Sequence, residues 1–135
     1  YITQTAAGIR DHLTVFGNDY NTEDGTCIRD YIHVVDLASA HVKAIDYLRE
    51  QDHMVSYFNI GTGKGSSVLE VIAAFEEVSG KKLPYEIGDR RSGDVEQIWA
   101  KTDYAKKELG WESKRDLLDM MATAWSWQQS LERED

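Results

Sequence analysis

The sequence is poor in three things: cysteine, basic residues and long apolar runs. Cys27 is the single cysteine, which excludes an internal disulfide framework and leads us to expect a reduced, cytoplasmic setting. Lys and Arg number 15 against 24 Asp and Glu, a formal net charge of -9, and no basic stripe is present. Grip on a nucleic-acid backbone needs such a stripe, so nucleic acid is not an expected partner. No run approaches the ~18 apolar residues of a membrane-spanning helix, and a membrane is not expected either. No repeat, low-complexity tract or linker divides the 135 residues. The chain opens on "YITQTAAGIR" with no initiator Met, cap or entry loop. This stretch has Ile2, Ala6 and Ile9 on one helical face, and a preceding part is expected to be missing.

What is present is enough for one domain with a real core: 41% hydrophobic residues, four Trp and seven Tyr. "LTVFG" at 13–17 predicts a short strand closed by Gly17, followed by a polar loop over 18–27. "IRDYIHV" at 28–34 alternates and predicts a second strand. Asp36 is placed to cap a helix with Leu37, Ala40, Ala44 and Leu48 on one face, ending in the polar run 49–53. "YFNI" at 57–60 predicts a strand entering the turn "GTGKG". Ser67 and Glu70 then form a capping box for a helix carrying Val68, Val71, Ile72 and Phe75, stopped by Gly80. "LPYEI" at 83–87 is another strand candidate, and "VEQIWA" at 95–100 is extended. A short helix runs from Thr102 to Leu109 before Gly110. A last one near 116–131 is expected to bury Leu117, Met121, Ala124 and Trp125. Short strands with roughly four to five helices give a mixed α/β (α+β) fold.

Two stretches invite an anion. Strand, "GTGKG" and helix form a context in which backbone N–H groups hold phosphate. The spacing lacks the third glycine of a dinucleotide loop and a Walker lysine, so a tight turn feeding a capped helix is the preferred reading. "GDRRSGD" at 88–94 sets two arginines between aspartates with a glycine near each end. It is either a solvated turn or a site where a guanidinium fork meets phosphate oxygens. Asp94 could accept from two hydroxyls of a ribose. Arg29 and Tyr31, two apart in "CIRDYIHV", put a cation and a hydroxyl on one face of an extended segment. His33 and His41 have no third ligand at a sensible spacing, so no metal is expected. Cys27 has no neighbouring base to activate it. Trp111, Trp125 and Trp127 could form a saccharide platform only if exposed, and helical spacing favours the core for Trp125.

"LTVFGNDYNTEDGTCIRDYIHVVDLASAH", followed by "YFNIGTGKGSSVLEV", "RRSGDVEQIWA" and "KKELGW", resembles the C-terminal portion of the UDP-glucose (UDP-galactose) 4-epimerases of the extended short-chain dehydrogenase/reductase family. The resemblance covers nearly the whole chain. It implies that residues 1–135 are a UDP-sugar-binding portion of an isomerase of galactose metabolism, and that the N-terminal NAD-binding Rossmann half is absent. Arg29 and Arg91 would grip the pyrophosphate, Asp94 the uridine ribose and Phe16 the uracil. Tyr31 would line the pocket, and Arg90 would be structural or solvated. At Ile98 many of these enzymes carry Tyr, and those accepting N-acetylated sugars carry a small residue such as Cys, which leaves tolerance for a 2-acetamido group open.

The family moves hydride between C4 of the hexose and NAD, with the Tyr of a Tyr-x-x-x-Lys motif as base. No Tyr here has Lys four residues on, and no G-x-x-G-x-x-G loop occurs. The chain is therefore expected to hold no catalytic residue, to bind no NAD by itself, and to work with UDP-glucose or UDP-galactose only alongside its missing half, in an enzyme expected to be a homodimer. The surface facing that half, on the 36–50 helix and "YFNI", is expected to be apolar. Alternatives are another extended family member such as a nucleotide-sugar dehydratase or decarboxylase, a free-standing nucleotide-sugar binding module, or a self-associating structural fragment.

Overall fold

The computed structural model describes residues 1–52 and 55–131. The described elements are α1 (Ile2–Ala6), β1 (Leu13–Phe16), β2 (Ile28–Arg29), α2 (Val34–Arg49), β3 (Ser66–Ser67), α3 (Val68–Ser79), β4 (Tyr85–Gly88), β5 (Gln97–Ile98), α4 (Asp103–Leu109) and α5 (Leu117–Leu131). Two small sheets organise them. β1 pairs in parallel with β4, Leu13 opposite Tyr85 and Phe16 opposite Gly88. β2 lies between antiparallel β3 and parallel β5.

α3 forms as its sequence predicts. The Ser67 side chain accepts from Glu70 N, the Glu70 carboxylate accepts from Ser67 N, and Gly80 ends the helix at φ +67. Its apolar face buries Val71, Ile72, Ala74 and Phe75 against Val15 of β1, Leu83, and Met121 and Trp125 of α5. Phe75 is fully enclosed and meets the Trp125 ring edge-on at 5.6 Å. Large apolar side chains contribute roughly 1.5–3 kcal/mol each when buried, so this cluster anchors β1 firmly to α3 and α5. A second cluster joins Ala40 of α2 to Ala105, Leu109 and Trp111, with Ile32, Tyr47, Phe58 and Ile60 packed on it.

Several expectations are corrected. The strand over 28–34 shrinks to Ile28–Arg29, because from Asp30 onward side chains replace the ladder and His33 already caps α2. Val35 N donates to His33 Nδ1, which leaves the ring proton on Nε2 to donate to Thr123 Oγ1 at 2.8 Å. Asp36 is thus not the cap. It is buried in the first turn, where its carboxylate accepts from Lys114 N, Arg115 N and the Arg115 guanidinium. Residues 57–60 join neither sheet. Phe58 turns in, stacking on Tyr104 at 5.2 Å, while Tyr57 turns out. Ile9 falls beyond α1 and is exposed, Leu48 is half-exposed, and on α5 Gln128 joins Met121 and Trp125 in the buried face while Leu117 and Ala124 are only partly buried. The polar run after α2 begins as expected, although its last residue, His53, lies outside the described residues. Among the described residues no helix is long and apolar enough to cross a membrane.

Candidate functional site

The register of the two sheets builds a cleft. β1 and β4 end together at Phe16 and Gly88, and β5 sets Ile98 opposite Arg29 of β2. Residues 89–96 must therefore cross from one sheet to the other. The paired arginines ride on that crossing. Gly93 at φ +86 makes the bend that lets Asp94 N donate back to Arg91 O at 3.2 Å.

Five of the six residues singled out from the sequence, Phe16, Arg29, Tyr31, Arg91 and Asp94, line one cleft of about 580 Å³. This lies within the ~300–1,000 Å³ typical of small-molecule sites. Arg91 lays its guanidinium over the Phe16 ring at 4.4 Å. Asp94 stands between two cations, 3.4 Å from Arg29 Nη2 and 4.0 Å from Arg91 Nε. Arg29 also donates to Ile28 O at 2.8 Å, which fixes one edge of its guanidinium. Part-exposed ion pairs of this length stabilise little, ~0–1 kcal/mol, so both guanidiniums keep N–H donors and attraction for a stronger anion. Burial pushes the Tyr31 phenol up, with the Arg29 charge opposing it, so Tyr31 offers a neutral hydroxyl.

The sixth residue, Ile98, is not in this cleft. It is largely exposed in an adjoining groove that shares Arg29 and includes Asn59 and Trp99. Arg90, expected to be structural, is fastened to the 17–27 loop: it donates to Asp19 Oδ1 at 2.6 Å and Asp19 O at 2.5 Å and lies over the Tyr20 ring at 4.1 Å. Its hydrogen bond holds the Asp19 carboxyl below its ordinary value.

Sequence reasoning missed other walls of the cleft, among them Arg10, His12, Thr14 and Cys27. Thr14 and Cys27 were within reach of the same alternation: Thr14 and Phe16 flank buried Val15, and Cys27 precedes Arg29 and Tyr31 at the same period of two. Nothing in the sequence marks Arg10 or His12. With Arg10 the cleft gathers three arginines against one aspartate, a local reversal of the chain's net charge of -9.

The glycine turn holds an anion of its own. Thr62 N and Gly63 N donate to the Asp30 carboxylate at 2.8 and 3.1 Å, so these N–H groups are already used inside the fold. They do not fit a dinucleotide phosphate. Of the tryptophans weighed as a saccharide platform, Trp111 and Trp125 are buried and only Trp127 is exposed.

The profile of the family described as GDP-mannose 4,6 dehydratase matches residues 1–124. Over 130 residues the chain is 54% identical to a UDP-glucose 4-epimerase of Bacillus subtilis (strain 168), covering 96% of this chain and 38% of that protein. Its fold superposes on the UDP-glucose-4-epimerase of Stenotrophomonas maltophila with bound NAD and formylated UDP-arabinopyranose, at a TM-score of 0.95 and 48% identity, covering 100% of this chain and 40% of the other. The Bifidobacterium longum UDP-glucose 4-epimerase in complex with NAD+ and UDP gives 0.91 and 45%, over 96% and 38%. The chain thus spans about two fifths of the length of the relatives it matches. The architecture is the mixed α/β fold of the extended short-chain dehydrogenase/reductases.

Proposed function

Because the chain belongs to the family described as GDP-mannose 4,6 dehydratase, within which its relatives at about half identity are 4-epimerases, we propose that it is the C-terminal, UDP-sugar-binding portion of an NAD-dependent UDP-glucose 4-epimerase. The observation that carries this is the cleft in which Arg29 and Arg91 converge on one carboxylate beside Phe16 and Tyr31. Two guanidiniums on one cleft suit a pyrophosphate, which accepts from both at once through charge-assisted hydrogen bonds. Asp94, an acceptor, takes the ribose hydroxyls, and Phe16 offers an apolar face to the uracil. Ile98, in the adjoining groove, meets the hexose end, where its side chain limits what C2 can carry. The family description alone would also suit a dehydratase; identity to the epimerases at 45–54% weighs against it.

In the complete enzyme bound NAD would supply the hydride chemistry at the hexose C4. The residues of this chain do not fit that cofactor, since Thr62 N and Gly63 N of the glycine turn weighed as a phosphate loop bind Asp30. Nor does the chain contain a Tyr-x-x-x-Lys motif. Its part is to bind and orient the nucleotide sugar, and the remaining part of the protein supplies the chemistry. An apolar face of α2, with Val34, Val42, Ile45 and Leu48 at least half-exposed and Val35 nearly so, supports contact with that remainder. A cytoplasmic location and a homodimeric whole enzyme complete the proposal, and the mass of the whole enzyme in solution tests the second.

Calorimetric titration of the chain with UDP at low salt tests the clamp, with an Arg29→Ala, Arg91→Ala double variant beside it. At ~1.5–3 kcal/mol for each charge-assisted hydrogen bond, the double variant should lose about a hundredfold or more in affinity. Equal binding by the variant overturns the clamp. A folded wild-type chain that binds no UDP overturns binding by this portion alone.

A further inference from the structure

Asp30 does not line the nucleotide cleft, yet it sits between the two residues of "RDY" that do. β2 is only two residues long, with β3 on one side and β5 on the other. Where this ladder stops, the Asp30 side chain continues it. Oδ1 accepts from Thr62 N at 2.8 Å and Thr62 Oγ1 at 2.6 Å, and Oδ2 accepts from Gly63 N and Ala100 N, each at 3.1 Å. Thr62 and Gly63 belong to the turn that leads into β3, and Ala100 lies just past β5. One carboxylate thus ties both flanking segments to the strand carrying Arg29.

The neighbouring glycine shows how closely these segments approach. A Cβ on Gly61 would overlap the Asp30 carboxylate and the Ala100 methyl, so only glycine lets the turn reach Asp30. Burial pushes the Asp30 carboxyl up, but the hydrogen bonds from Thr62, Ala100 and Gly63 outweigh it and hold the group below its ordinary value, ionised at neutral pH.

We propose that Asp30 is the positioning residue of the nucleotide clamp: by tying the glycine turn and the exit of β5 to β2, it sets the spacing between Arg29 and the loop of Arg91 and Asp94. That loop runs directly into β5, whose Ile98 pairs with Arg29. A shift at Ala100 therefore moves one arginine relative to the other, and a pyrophosphate no longer meets both. The assignment rests on the nucleotide reading above.

The test measures UDP affinity by calorimetry for wild type, Asp30→Asn, Thr62→Val, Arg29→Ala and the Asp30→Asn, Arg29→Ala pair. The Arg29 Nε resonance is followed by NMR in each chain that keeps Arg29. Asparagine keeps the size of the side chain but turns an N–H₂ toward donors, so Asp30→Asn should weaken UDP about tenfold and Thr62→Val about threefold. Asp30→Asn should add nothing once Arg29 is gone, a non-additivity that a role outside the clamp would not produce. A folded Asp30→Asn chain that binds UDP as well as wild type, or whose loss adds in full to that of Arg29→Ala, overturns the proposal. If Asp30→Asn does not fold, Thr62→Val decides: weakened binding supports it and unchanged binding overturns it. If wild type binds no UDP, binding by this portion alone falls, and the Arg29 Nε resonance decides the positioning role. Displacement in Thr62→Val or folded Asp30→Asn supports it, and an unmoved resonance in a folded variant overturns it.

Discussion

Replacing Asp36 with Ala should cost this chain about 3 kcal/mol of stability, on the scale of breaking a buried ion pair. The side chain is almost wholly buried and accepts from Lys114 N at 2.9 Å, Arg115 N at 2.8 Å and Arg115 Nη1 at 2.5 Å. Hydrogen bonds to a charged group are worth ~1.5–3 kcal/mol each, and losing one partner of a buried pair costs ~3–5 kcal/mol. Arg115 is 39% exposed, so its guanidinium regains water and the cost falls toward the lower end. Most of it then comes from the two backbone N–H groups that Ala leaves without the carboxylate. Asp36→Asn, which keeps one acceptor oxygen, should lose roughly half as much. Burial pushes the Asp36 carboxyl up, but its hydrogen bonds from Arg115 and Lys114 outweigh this and set it below its ordinary value. The unfolded chain, titrating near ~3.9, therefore holds more protons in the window below that value. The stabilisation is complete above the unfolded pKa and is lost as pH falls through the folded one. Urea denaturation at several pH values between about 6 and 2 measures both effects. A loss below ~1 kcal/mol at neutral pH, or an acid limb as steep in Asp36→Ala as in wild type, would refute the reasoning.

Three further substitutions test the packing that carries the cleft. Gly25 has φ +79 and a Cβ there would overlap the Asn18 carbonyl, whereas Gly80 at φ +67 has nothing near its Cβ position. Gly80→Ala should cost only the ~1–2 kcal/mol of a left-handed alanine and Gly25→Ala clearly more; equal melting temperatures would contradict this. Phe75→Ala removes the fully enclosed ring that meets Trp125 and should cost ~3–5 kcal/mol with a shift in tryptophan emission. Retention of wild-type stability would mean that the α3 and α5 interface does not support β1.

Local chemistry was legible wherever one segment decided its own structure. The capping box of Ser67 and Glu70 and the stop at Gly80 depend on near neighbours and appear as the sequence predicts, and the strand 13–16 also forms, on the distant partner β4. Alternation alone placed Arg29 and Tyr31 on one side, and both line the cleft. The strand predicted at 57–60 forms no ladder, since a strand exists only when a partner arrives.

What the sequence by itself determined is the family, the order of the main elements and most of the candidate site, because these reside in short motifs whose spacing survives without coordinates. Only the tertiary structure decided what the carboxylates do. Asp36, by spacing a cap, is a buried tie to residues 114 and 115. Asp30, unremarked in the sequence, holds the glycine turn. A carboxylate takes its role from the N–H groups that surround it, and here those groups lie from about 30 to nearly 80 residues away along the chain, beyond the reach of any local pattern.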